Sequence, residues 1–183
     1  MPAADYNIVL IGYRGAGKTS VARELSARLG WPWYDSDTEI ERAAGKSIAE
    51  IFATGGEALF RDWESRVIEQ LGVRRGVIIA TGGGAILRAE NRAMLTRAGR
   101  FVWLQADPET IHARLQADAT TAARRPNLTR LGELEEIRTL LAEREPIYAA
   151  LAELRLNADA NTAAELAETI AAALTRSTTT EAT

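Results

Sequence analysis

Apolar residues along this chain come in two textures. The runs Asn7 to Ile11, Val77 to Ala80 and Phe101 to Leu104 are short, β-branched or aromatic, and closely followed by Gly or Asp. That pattern predicts strands buried on both faces, as in a parallel sheet. Between them apolar positions recur at helical spacing. Val21, Ala22, Leu25 and Leu29 keep one face until Gly30-Trp31-Pro32 ends the helix, and Phe60, Trp63, Val67, Ile68 and Leu71 do the same from Glu57 to Leu71. Trp33-Tyr34 and Arg155-Leu156 read as further strands. More helices are expected from about Pro108 to Gln116, Leu131 to Glu143 and Asn161 to Leu174. Alternating strand and helix predicts a sheet covered by helices on both faces, within one domain over residues 1–176. The small polar tail 177–183 is expected to be disordered. In such sheets ligands collect beyond the carboxyl ends of the strands.

Composition narrows the function. The chain has 183 residues, of which 46% are hydrophobic and 26% charged, which places it with ordinary globular domains and excludes fibrous and low-complexity classes. No apolar run approaches the roughly 20 residues that span a bilayer, and the opening Met1-Pro2-Ala3-Ala4-Asp5 lacks the pattern of a secretory signal. Without cysteine there are no disulfides or thiolate metal sites, which fits a reducing compartment. A net charge of −3 gives no basic footprint for nucleic acid, so any phosphate affinity must be local. Of the 22 basic residues only Lys18 and Lys46 are lysines, so Lys18 stands out where it falls.

It falls in Gly12-Tyr13-Arg14-Gly15-Ala16-Gly17-Lys18-Thr19, which matches G-x-x-x-x-G-K-[ST] at every fixed position between a strand and an amphipathic helix. Glycines let successive N–H groups turn inward around phosphate oxygens, and the helix N-terminus adds its positive end. Lys18 then reaches the β- and γ-phosphates while the Thr19 hydroxyl sits on Mg²⁺.

A phosphate loop does not name the acceptor, so the other strand ends matter. Asp35-Ser36-Asp37 follows the second strand; its carboxylates suit Mg²⁺ or an acceptor hydroxyl, and Ser36 or Asp37 equally suits a helix N-cap. In Phe60-Arg61-Asp62-Trp63-Glu64, Glu64 sits one helical turn after Arg61, either as a surface ion pair or to aim the guanidinium at a substrate carboxylate. Thr81-Gly82-Gly83-Gly84 allows close backbone approach by an anion, or serves as a plain turn. Arg124-Arg125-Pro126 lies in the polar stretch Ala117 to Thr129, a place for a lid or for a solvated basic loop. His112 sits outside every motif, as a surface or packing residue.

In order, Gly-x-x-Gly-x-Gly-Lys-Thr, Asp-Ser-Asp, Phe-Arg-x-x-Glu, Thr-Gly-Gly-Gly, Arg-Pro and Glu143-Arg144-Glu145-Pro146-Ile147-Tyr148 resemble the signatures of the shikimate kinase family, over Asn7 to Leu174. The resemblance implies a three-layer α/β/α P-loop kinase fold like that of nucleoside monophosphate kinases. Its five-stranded parallel sheet would have the order 2-3-1-4-5, with a lid at about 117–129. The implied reaction is MgATP plus shikimate giving ADP and shikimate 3-phosphate, on the route to aromatic amino acids. Carried over by position, Gly15, Ala16, Gly17, Lys18, Thr19 and Ser20 hold the ATP phosphates, Thr19 and Asp35 the Mg²⁺, and Asp37 the reacting hydroxyl. Arg61, Gly82, Gly83, Gly84 and Arg144 bind the rest of shikimate, the two arginines taking its carboxylate, and Arg125 is the lid arginine on the phosphates. Lys18, Asp37 and Arg125 are thus the catalytic set. Adenine contacts match poorly, with Arg114 the one candidate. The expected partners are shikimate and MgATP, with no nucleic acid and no membrane, in a cytoplasmic monomer. Gluconate kinase shares the loop and the acidic motif but leaves Phe60-Arg61-x-x-Glu64 and Gly82 to Gly84 without a role. A nucleotide-binding module without activity is expected to have lost Lys18, Asp37 or Arg125.

Overall fold

The computed structural model describes residues 4–117 and 133–176. Five strands, β1 (Asn7–Ile11), β2 (Trp33–Asp35), β3 (Ile78–Ala80), β4 (Gly99–Gln105) and β5 (Leu154–Asn157), make one sheet with every pair parallel. Its order is β2-β3-β1-β4-β5, as the resemblance implied. Central β1 sets Val9 beside Ile79 of β3 and Phe101 of β4.

Side chains of a strand alternate between faces, and here both faces are covered. Ile8 and Leu10 enter a core with Val21, Ala22 and Leu25 of α1 (Lys18–Leu29) and Leu166, Ala167 and Ile170 of α7 (Ala163–Arg176). Val9 and Ile11 enter a second core, built with α2 (Ser36–Ala44), α3 (Ile48–Gly72), α4 (Ala89–Thr96), α5 (Pro108–Ala117) and α6 (Glu133–Leu151). All four residues are at most 1% exposed, and each burial contributes roughly 1.5–3 kcal/mol. This double burial is why the strand reads as an unbroken apolar run.

The structure extends the sequence reading at three places. Helix α3 begins at Ile48, well before Glu57, because a first helical stretch meets the expected one across a kink at Gly56, whose φ of 64° only glycine adopts without strain. Helix α4 and the body of α2 are additional; both are short, so little periodicity marks them. Helix α6 runs on past Glu143 to Leu151, through Pro146. Proline removes one helical hydrogen bond, but Ile137, Leu141 and Tyr148 hold α6 on the core from both sides of it. The expected lid with Arg125 and the tail 177–183 lie outside the described residues.

Helix α3 opens with a capping box. Ser47 Oγ accepts from the Glu50 amide at 3.2 Å, and a Glu50 carboxylate oxygen accepts from the Ser47 amide at 2.7 Å. Ser47→Ala should cost about 1 kcal/mol and lower Tm by about 2–4 °C in thermal denaturation. An unchanged Tm would mean that the first turns of α3 lie outside the cooperative unit.

Candidate active site

Because all five strands are parallel, the turns after β1, β2 and β3 open at one edge of the sheet. After β1 the chain turns at Gly12, whose φ of 140° and approach to β4 leave no room for a side chain: a Cβ there would lie 2.5 Å from the Leu104 carbonyl oxygen. The loop closes at Gly17, which caps α1 in the left-handed region with no side chain on the first amides of the helix. Those amides therefore face outward as an anion site. Lys18 is buried, and its Nζ donates to the carbonyls of Gly12 at 2.8 Å and Tyr13 at 2.6 Å, so the ammonium lies inside the curl of the loop. The Ala16 amide donates to the Tyr13 carbonyl within the loop at 3.2 Å and its methyl packs in the α1 core, whereas Ser20 is exposed at the rim.

The acidic motif after β2 is joined directly to this loop. Thr19 Oγ1 donates to Asp35 Oδ2 at 2.6 Å. The other oxygen of Asp35 accepts from the amides of Asp37 and Thr38 at 3.0 and 3.2 Å, which makes Asp35 the N-cap of α2. The cap expected at Ser36 or Asp37 is thus one or two residues earlier, because only the residue with extended backbone ahead of the helix can turn its side chain onto those amides. Ser36 is instead fully buried, and its Oγ accepts from the Gly82 amide at 2.7 Å.

Gly82, Gly83 and Gly84 form the third wall. A Cβ at Gly84 would come within 2.6 Å of Arg61 Nη1, and one at Gly83 within 3.5 Å of Arg144 Nη1. Two arginines 83 positions apart in sequence therefore meet one glycine turn, from α3 and from α6. Arg61 is 8% exposed and donates from Nη1 to the fully buried Glu64 at 2.7 Å; its Nε and Nη2 both reach Glu57 Oε1, at 3.2 and 3.0 Å. Burial opposes the guanidinium's charge, yet Glu64 and Glu57 together raise its pKa above the ordinary arginine value. Arg144 is 7% exposed and stacks over the Tyr13 ring at 5.3 Å. One turn later, Tyr148 donates to the Gly83 carbonyl at 2.6 Å.

A cavity of about 290 Å³ opens between these walls, lined among others by Gly15, Gly17, Lys18, Thr19, Ser20, Asp35, Asp37, Gly82 and Gly83. Arg61, Gly84 and Arg144 are not among the residues that line it. Three polar lining residues carried no role or a thin one in the sequence. Arg14 lies 3.7 Å from the buried Glu136 of α6, and Thr81 donates to the Leu10 carbonyl at 2.9 Å. Arg114 of α5 donates to the Ala158 carbonyl at 2.7 Å and reaches the Gly15 carbonyl at 3.4 Å, tying the phosphate loop to the turn after β5. His112 is paired at the surface with Glu133, 3.3 Å away.

A nucleotide-type phosphate loop on the central strand of a sheet with this order defines the class: a small-molecule kinase built like the nucleoside monophosphate kinases. The family model for shikimate kinase matches residues 14–175, and the chain belongs to the shikimate kinase family. It is 46% identical over 151 residues to the shikimate kinase of Rhodopirellula baltica, which covers 82% of this chain and 81% of that protein. The structure of shikimate kinase from Acinetobacter baumannii in complex with shikimate is 37% identical, with a TM-score of 0.87 over 94% of each chain. A gluconokinase from Sinorhizobium meliloti, at 17% identity and a TM-score of 0.60 over 95% of this chain and 94% of its own, shares the fold alone.

Proposed function

We propose that this chain transfers the γ-phosphoryl group of ATP to the 3-hydroxyl of shikimate, giving ADP and shikimate 3-phosphate. The observation that carries the reading is the meeting of Arg61 and Arg144 at the glycine turn beside the phosphate loop. A nucleotide site alone needs no such pair, whereas a ring carboxylic acid held next to the γ-phosphate does.

The roles follow from position. The phosphate loop and the first amides of α1 hold the ATP phosphates, and the Lys18 ammonium sits where charge shifts during transfer. Asp37, in the first turn of α2 and on the cavity wall, accepts a hydrogen bond from the acceptor hydroxyl. Glu64 fixes Arg61, and Arg61 with Arg144 takes the substrate carboxylate. Arg125, outside the described residues, keeps the role its Arg-Pro context suggests, countering charge on the phosphates. The hydroxyl of Thr19 and the carboxylate of Asp35, 2.6 Å apart, are the hard oxygen donors that Mg²⁺ prefers alongside phosphate and water. When bound, Mg²⁺ neutralises phosphate charge and orients the nucleotide.

Arg61→Lys and Arg144→Lys keep the charge but lose the fork. Each should cost on the order of 2–3 kcal/mol in shikimate binding, a weakening of about 30- to 150-fold. ATP affinity should hardly move. If both ligands weaken equally, or neither does, the arginines are structural and the acceptor assignment fails. ADP release from MgATP, measured separately with shikimate, gluconate, AMP and no acceptor, completes the test; a response to gluconate alone would overturn the reading.

A further inference from the structure

Three successive glycines carry no conformational preference of their own, so whatever holds Gly82 to Gly84 in one shape comes from elsewhere. The Ala85 and Leu87 amides donate to the Gly82 and Gly84 carbonyls at 3.0 and 3.1 Å, and two hydroxyls from different helices complete the hold. Ser36 Oγ accepts from the Gly82 amide at 2.7 Å, and Tyr148 Oη donates to the Gly83 carbonyl at 2.6 Å. Both side chains are fully buried, so neither bond competes with water. Each hydroxyl also belongs to an element that brings one half of the site. Ser36 lies between Asp35 and Asp37 at the start of α2, and Tyr148 lies one helical turn from Arg144 on α6.

We propose that Ser36 and Tyr148 are positioning residues for acceptor recognition, setting the two peptide groups that flank the Gly82–Gly83 peptide at fixed distances from Asp37 and from Arg144. The inference rests on the assignment of that turn to the shikimate site. A turn pinned by one helix only would let the acidic half and the arginine half shift against each other, and a substrate bridging them would lose geometry at both ends. The chemistry of each bond suits a permanent strut. Burial pushes the Tyr148 hydroxyl up to about 12, in spite of Arg144 and Arg61 nearby, so it remains a donor at any working pH. The serine hydroxyl is short, with one torsion to fix, and its bond to an amide needs no charge. Tyr148 is further held by its ring, packed on Trp103 with centroids 5.7 Å apart.

The test is steady-state kinetics on Tyr148→Phe and Ser36→Ala, with Arg144→Lys alongside. Tyr148→Phe keeps the ring and loses the hydroxyl alone. For each hydroxyl variant the KM for shikimate should rise about fivefold or more, while the KM for ATP changes less than about twofold. A thermal scan shows that the variant is folded at the assay temperature. Should one variant fail to fold, the other makes the same prediction from the other helix. If shikimate and ATP constants both stay at wild-type values while Tm falls, or if both KM values rise together, these hydroxyls serve stability only and the proposal is wrong. Arg144→Lys separates the two levels. Weakened shikimate binding there, with Tyr148→Phe and Ser36→Ala at wild-type values, overturns the positioning role and leaves the site assignment standing; unchanged shikimate binding in Arg144→Lys overturns both.

Discussion

Lys18→Ala should lower turnover by more than about 100-fold while the chain stays folded, as expected when one preorganised charge aimed at the reacting group is removed. The ammonium is buried and lies within the curl of the loop, donating to the Gly12 and Tyr13 carbonyls, so its position is set before nucleotide arrives. Alanine lacks both the charge and that bracing. Circular dichroism and a thermal scan separate a damaged loop from a damaged fold. Turnover within about tenfold of wild type, a barrier change of only about 1.4 kcal/mol, would be incompatible with phosphate-loop catalysis by this residue.

Asp37→Asn should reduce turnover by about 100-fold or more with little loss of stability, because it removes the carboxylate proposed to accept a hydrogen bond from the acceptor hydroxyl and leaves the shape. The structure sharpens the contrast with a capping role. The side-chain bonds to the α2 amides come from Asp35, so Asp37→Asn leaves that cap intact, and the favourable charge it removes near the helix N-terminus is worth about 0.3–1 kcal/mol. Parallel measurement of kcat and Tm decides the matter: a falling Tm with preserved kcat would assign Asp37 to helix stability instead.

The sequence announced those parts of the molecule whose physics is local. A phosphate loop needs its glycines and lysine at fixed spacing within eight residues, and a doubly buried strand needs a short apolar run, so both were legible. The meeting of Arg61 with Arg144 was legible only through the family resemblance, since nothing in residues 61 and 144 reveals that α3 and α6 reach the same turn. Hydroxyls announce even less. Ser36 and Tyr148 are ordinary residue types whose bonds to Gly82 and Gly83 span 46 and 65 positions, and only their neighbours, two acids for one and an arginine a turn away for the other, hinted at the site. The helix expected to end at about Glu143 instead runs on through Pro146, carried by the buried side chains around it, and that continuation is what brings Tyr148 to the turn.

The grip of Glu57 on Arg61 has a further bearing on selectivity. One of its oxygens spans Nε and Nη2, and its own side chain is about half exposed, free to swing into water. A carboxylate tethered four residues away behaves as a resident competitor at an effective concentration in the millimolar range or above. Small anions drawn to that edge of the guanidinium must displace it with nothing but their own charge. A ligand that reaches Asp37 and Arg144 at the same time brings the additional binding needed to win the exchange. In the role proposed for it, Arg61 thus comes with a built-in threshold, set by the protein's own carboxylate rather than by the shape of the cavity.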